Sequence, residues 1–217
     1  MSKVRISLIG IDGSGKSTHL STLQHELHDR GLHCKYVNLR GEYFRFVSLP
    51  FLILCKLAGY EGKFVAKGQE HRTRHPNFGR QKKKINSLWS FLFLVDIYIL
   101  ALFRGYFSIR SDVILCDRCI IDSIVDLMAS LRDDAIHRKG VGQFFLWLMK
   151  PDIVLLLDLN EEEALIRGRE TPGLYYLSLR RPLYQKIALD LQIPTIDSSK
   201  PFSVVHEEIL TYTEGIL

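Results

Sequence analysis

Residues Gly10-Ile11-Asp12-Gly13-Ser14-Gly15-Lys16-Ser17-Thr18 fit the spacing G-x-x-x-x-G-K-[ST]. Glycines at the first, fourth and sixth places let the backbone curl so that its N–H groups converge on a phosphate. A helix starting just after them adds a partial positive charge at the same point. Lys16 is then placed to bridge the β- and γ-phosphates of a nucleoside triphosphate, and Ser17 to offer its hydroxyl oxygen to Mg²⁺. Ser14 and Thr18 complete the cradle. The chemistry expected of this loop is the binding of a triphosphate.

A second group of the same kind follows about one hundred residues later. The apolar run Val113-Ile114-Leu115-Cys116 leads into Asp117-Arg118. An acid at the end of a buried strand is the natural second contact for Mg²⁺, directly or through water. Water-activating ATPases commonly carry a glutamate after that acid. Here Arg118 stands in its place, a residue suited to clamping an anionic acceptor and to stabilising charge in transfer. There is no N-K-x-D stretch for guanine recognition, which argues against a GTPase switch.

These groups need rigid elements to hold them. Val4 to Ile9 reads as a strand ending in glycine, and Ser17 to Asp29 as a helix with Leu20, Leu23 and Leu27 on one face, stopped by Gly31. Cys34 to Leu39 reads as a second strand. Val113 to Cys116 and Ile153 to Leu159 are continuous apolar runs of the type found in parallel strands covered on both faces. Ile193 to Ile196 reads as a short last strand and Phe202 to Thr213 as a closing helix. Strands alternating with helices over 217 residues, without repeat or linker, imply one α/β domain with a parallel sheet.

With 47% apolar and 24% charged residues and a mean hydropathy of +0.04, the chain is neither disordered, collagen-like nor a disulfide-dense miniprotein. Its net charge of +5 is unevenly placed. Between Lys63 and Lys84 stand eight basic residues against one acid, Glu70, a surplus of seven, so the remainder of the chain is net −2. From Arg72 to Lys84 the stretch holds Phe78 but otherwise lacks the aromatic interleaving of a nucleic-acid groove, and no specific nucleic acid is expected as a partner.

Four cysteines are too few for a disulfide scaffold, and Cys116-x-x-Cys119 has no second pair at zinc spacing. Reduced thiols in the cytoplasm are the expected state, and Met1 to Ile11 does not read as a signal peptide. Leu88 to Phe103 is apolar but short for a membrane span and carries Asp96 near its middle, so a buried core helix is expected. Phe46 to Leu54, flanked by basic residues, could touch a membrane surface.

In these motifs the sequence resembles the thymidylate kinase family of nucleoside monophosphate kinases, over most of the chain apart from about residues 43–87. The loop with an acid at its third place, Asp117-Arg118, the strand Pro151 to Leu159, the helix with Glu163, Ala164, Arg167 and Arg169, Arg181-x-x-Tyr184 and Ile196-Asp197-Ser198-Ser199 all match its pattern. The resemblance implies a P-loop kinase three-layer α/β/α fold with a five-stranded parallel sheet, and an ATP-dependent kinase using Mg²⁺. It implies that Arg118 and Arg40 hold the acceptor phosphate and that Asp12 approaches the acceptor's sugar hydroxyl. It also implies a lid at about 162–180, from which Arg167 or Arg169 closes over the phosphates, because the loop carries Gly13 where other members carry an arginine. Glu42 could serve as a base, an acceptor contact or an ordinary loop acid. Apart from the resemblance, the chain could form a homodimer.

The acceptor side departs from the family. Members carry Ala-Asp-Arg, with a base-reading arginine, where this chain has Val95-Asp96-Ile97. The region 43–87 is longer than its counterpart and joins an apolar block to the basic run. Three readings follow: a kinase for a nucleoside monophosphate such as dTMP; a kinase for a nucleoside, sugar phosphate or lipid-linked phosphate; and a non-catalytic nucleotide-binding protein.

Overall fold

A sheet covered by helices on both faces needs strands that are apolar on both faces, and the chain supplies such runs in turn. The computed structural model describes residues 3–39, 46–59, 63–65, 72–77, 83–108, 110–168 and 173–214. Its elements are β1 (Val4–Ile9), α1 (Lys16–Asp29), β2 (Cys34–Asn38), α2 (Ser48–Leu57), β3 (Lys63–Val65), β4 (Arg72–Asn77), α3 (Lys83–Arg104), β5 (Val113–Asp117), α4 (Ile120–Leu131), α5 (Gly140–Met149), β6 (Ile153–Asp158), α6 (Glu161–Arg167), α7 (Leu174–Asp190), β7 (Thr195–Asp197) and α8 (Phe202–Glu214). Strands β2, β5, β1, β6 and β7 lie side by side in that order, and every neighbouring pair is parallel. β3 and β4 form a separate antiparallel pair. The fold is a three-layer α/β/α arrangement of the P-loop type around a five-stranded parallel sheet.

Side chains alternate across the sheet and divide the core in two. Ile114 and Cys116 of β5 join Trp89, Phe93, Ile121 and Ile124 on one side. Val113 and Leu115 join Leu20, Leu23, Leu27 and Ile209 on the other. The register then decides where chemistry can occur. Leu8 of β1 pairs with Asp117 of β5, so the loop beginning at Gly10 and the acid ending β5 emerge together. Ligands of open parallel sheets bind at this carboxyl end.

α3 is the one helix among the described residues long and apolar enough to cross a membrane. Its Trp89, Phe93, Leu94, Ile97 and Ala101 belong to the core, in line with the expected core helix. Asp96 explains its charge: fully buried, it accepts from the backbone N–H groups of Val47 at 2.6 Å and Ser48 at 3.0 Å. An acid on α3 thus caps the start of α2, satisfying N–H groups that have no partner within that helix. The apolar stretch that could touch a membrane is therefore a helix pinned to the core at one end, with Leu54 and Leu57 exposed.

The last strand is displaced from expectation, covering Thr195–Asp197. Ile193 donates to the Ala188 carbonyl at 2.8 Å and ends α7, while Pro194 accepts from Leu156 at 2.9 Å. Apolar character alone did not separate the turn from the strand. α8 closes on α1 through a ring stack, Phe202 lying 4.3 Å from His19 at an interplanar angle of 3°. Burial, reinforced by His206, lowers the pKa of His19 to about 4.

Candidate phosphate-binding site

β1 ends in a loop in which Gly10 and Gly13 pack where no side chain fits. Gly13 has φ +91°, and a Cβ there would lie 2.3 Å from the Ala164 carbonyl oxygen of α6. The loop is thereby seated directly on the helix that carries Arg167. Ser198, just after β7, donates from Oγ to the Ser14 carbonyl at 2.7 Å and ties a third element to the loop.

These elements enclose a cavity of about 390 Å³ lined by Asp12, Gly13, Gly15, Lys16, Ser17, Thr18, Asn38, Asp117, Arg118 and Arg167. The sequence placed all of these except Asn38 in the site. Gly10 and Ser14 belong to the same loop but do not line the cavity. Arg40, Glu42 and Arg169 lie outside the described residues.

The Lys16 ammonium is buried and donates from Nζ to the Ile11 carbonyl at 2.6 Å and to Ser14 Oγ at 3.3 Å. Burial, aided by the charge of Arg118, lowers its pKa to about 8 from an ordinary 10.5. An anion entering the loop supplies what this cation lacks. Arg118 extends from the end of β5 with φ +69° and forms an ion pair with Asp12 across the cavity. Burial alone would lower its pKa, but Asp12, with Tyr184, Asp122 and Asp126, holds it well above the ordinary value. The guanidinium remains a cation under all working conditions.

Ser17 Oγ donates to Asp117 Oδ2 at 3.0 Å, the pairing expected of a loop hydroxyl and a strand-end acid that share a metal. The same Oδ2 accepts from the Tyr36 hydroxyl at 2.6 Å and from Asn38 Nδ2 at 3.4 Å. Among the described residues no cluster of three His, Cys, Asp or Glu forms. The donor set fits Mg²⁺ nonetheless, because that ion takes one or two protein oxygens and completes its shell with water and phosphate.

Arg167 reaches the cavity from the end of α6. Its guanidinium donates to the Ser198 carbonyl at 2.8 Å and to Glu163 Oε1 at 2.5 Å. Arg180 and Arg181 are ion-paired: Arg180 is buried against Asp126 at 2.9 Å, and Arg181 holds Asp158 and Glu161, each at 2.8 Å. Tyr184 donates to Asp122 Oδ1 at 2.7 Å. These contacts fix α4, which starts just after Arg118, against α7. Cys116 and Cys119 are buried free thiols and belong to the core.

Sequence reasoning did not identify Tyr36, Asn38, Asp122 or Asp126 as parts of the site or its support, and it met Ser198 only within the matched pattern Ile196 to Ser199. Tyr36 and Asn38 were within reach of it, since polar residues two apart near the carboxyl end of a strand share a face. The acids of α4 gave no such sign, because each is matched by a partner more than fifty residues away. No family model matches the chain, and no curated protein matches it.

Proposed function

We propose that the chain is an ATP-dependent phosphotransferase similar to thymidylate kinases, moving the γ-phosphoryl of ATP to a small phosphorylated acceptor of the nucleoside monophosphate type. The observation that supports this is the convergence of Lys16, the Ser17–Asp117 pair, the Asp12–Arg118 pair and Arg167 on one cavity. A triphosphate fits with its β-phosphate on the loop N–H groups and its γ-phosphate drawing Lys16 from the Ile11 carbonyl. Arg118 then exchanges Asp12 for the acceptor's phosphate, and Asp12 is released to meet the acceptor's hydroxyl. An acceptor oxygen attacks the γ-phosphorus in line, the bond to the β-γ bridging oxygen breaks, and ADP leaves. Arg167 offsets the charge spread over the transferred group. Ser17 and Asp117 would hold Mg²⁺, directly or through water, and when bound the ion would supply further neutralisation of the phosphate oxygens. We place the reaction in the cytoplasm, with the exposed Leu54 and Leu57 of α2 as the part that could meet a membrane.

One observation favours a second acceptor class. Ile97, at the position of the family's base-reading arginine, is fully buried in the core. A nucleoside, sugar phosphate or lipid-linked phosphate is then the alternative acceptor, since a site without the groups that read one base does not select it. ATP consumption measured across nucleoside monophosphates, nucleosides, sugar phosphates and lipid phosphates separates the two. Turnover with a nucleoside monophosphate supports the first, turnover with one of the others the second. ATP binding without any turnover would leave a non-catalytic nucleotide-binding protein.

A further inference from the structure

We infer that Tyr36, with Asn38, is a positioning residue for the metal carboxylate, fixing which oxygen of Asp117 is offered to a divalent cation. The inference rests on the reading of the cavity as a Mg²⁺–nucleotide site and concerns how that site is tuned.

Geometry carries it. Tyr36 and Asn38 stand two residues apart on β2, with buried Val37 between them, so both side chains fall on the same face of the sheet. β2 runs parallel to β5 with Asn38 opposite Asp117 and Tyr36 opposite Leu115. The phenol is long enough to span that offset and reaches Oδ2 at 2.6 Å. Asn38 meets the same atom at 3.4 Å and Ser17 at 3.0 Å. Three donors converge on one carboxylate oxygen, and no described residue donates to Oδ1 of Asp117.

The strand end is itself stitched in place. Leu39 N–H donates to the carbonyls of Asp117 and Arg118, both at 3.3 Å, and Arg104 at the end of α3 donates to the Asn38 carbonyl. A carboxylate gripped through one oxygen by groups on a fixed strand cannot rotate freely. Its other oxygen is left facing a known direction.

Partners that orient a ligating carboxylate typically change metal affinity by ~10- to 100-fold when removed. Tyr36→Phe deletes the hydroxyl and keeps the ring. The test is calorimetric binding of ADP to the full chain, with and without Mg²⁺. Wild type is expected to bind ADP more tightly when Mg²⁺ is present. In Tyr36→Phe, ADP affinity without metal should match wild type, while the gain due to Mg²⁺ should shrink by at least about tenfold. Asn38→Ala should shrink it less, as befits the longer contact, and gives a second measurement should Tyr36→Phe fold poorly. An undiminished Mg²⁺ gain in both variants overturns the inference. So does an equal loss of affinity with and without metal, which would make Tyr36 a wall of the pocket. If wild type itself binds no ADP, the reading of the cavity falls and this inference with it.

Discussion

Gly13 and Gly31 both sit at positive φ, +91° and +80°, and differ in what surrounds them. A Cβ on Gly31 meets nothing within 4 Å, so Gly31→Ala carries only the backbone cost of a left-handed L-residue, ~1–2 kcal/mol. A Cβ on Gly13 would come to 2.3 Å from the Ala164 carbonyl oxygen and 3.0 Å from its carbon. Side-chain carbons do not approach within 3.0 Å, so α6 must retreat by about 0.7 Å. The obstacle is backbone, held by the Asn160 cap at one end and by Arg167 on the Ser198 carbonyl at the other. Overpacking of this kind adds ~1–3 kcal/mol. Gly13→Ala is therefore expected to be less stable than Gly31→Ala by that increment in urea unfolding followed by tryptophan fluorescence. It should also lose ADP binding, because the clash displaces the loop whose N–H groups would hold the β-phosphate, whereas Gly31→Ala should bind as wild type does. Equal unfolding midpoints and equal ADP affinities in the two variants would refute the claim that the loop is seated on α6.

Removing Asp126 leaves the buried Arg180 guanidinium without the carboxylate that its Nε meets at 2.9 Å; Asp126→Ala is expected to cost ~3–5 kcal/mol in urea unfolding, and a loss below ~1 kcal/mol would contradict a structural role for the pair. With the pKa of Lys16 near 8, the free protein holds this amine mostly neutral at about pH 9, and a phosphate against Nζ restores its charge. ADP binding at about pH 9 should thus take up close to one proton, and near pH 7 almost none; binding heats independent of buffer ionisation enthalpy at both pH values would be the contrary result. His19 titrates near 4 in the folded chain against an ordinary 6.5, so the stability it gives is complete above 6.5 and is lost as pH falls from 6.5 through 4. His19→Phe, which can still stack on Phe202, should show a shallower loss of stability over that range, and parallel pH profiles would argue against the assignment.

How much of this could be read from the sequence depended on how local each signal was. The loop from Gly10 to Thr18 announces itself because its glycines, its lysine and its hydroxyl are contiguous, and the strand before it and helix after it are where they were expected. Asp117-Arg118 was legible for the same reason, as an acid and a base at the end of an apolar run. Asp96 was not. In sequence it was a flaw in an apolar helix, and its role as a cap for α2 depends on a segment nearly fifty residues away folding back onto it. Tyr36 read as an ordinary strand residue, because its function exists only once β2 and β5 are neighbours, a pairing that skips over intervening helices. The basic stretch contributes β3, β4 and the start of α3 to the described structure. One part of it, Lys83, lines a cavity of about 680 Å³ with Arg132 and Lys139 at the far end of α4, which shares no residue with the phosphate site. Of the basic residues of this stretch, Lys63, Arg72, Arg74, Lys83 and Lys84 thus stand on elements outside the five-stranded sheet.

The central claim is that Lys16 and its neighbours hold a triphosphate for transfer to an acceptor. The most direct test is single-turnover transfer from γ-labelled ATP, with the best acceptor from the substrate survey, in wild type and Lys16→Ala. Loss of one preorganised donor at the transferring group should slow transfer by ~10²–10³-fold or more, with label moving to the acceptor and little to water. Transfer by Lys16→Ala at the wild-type rate, or label released only to water in the wild type, would contradict the account.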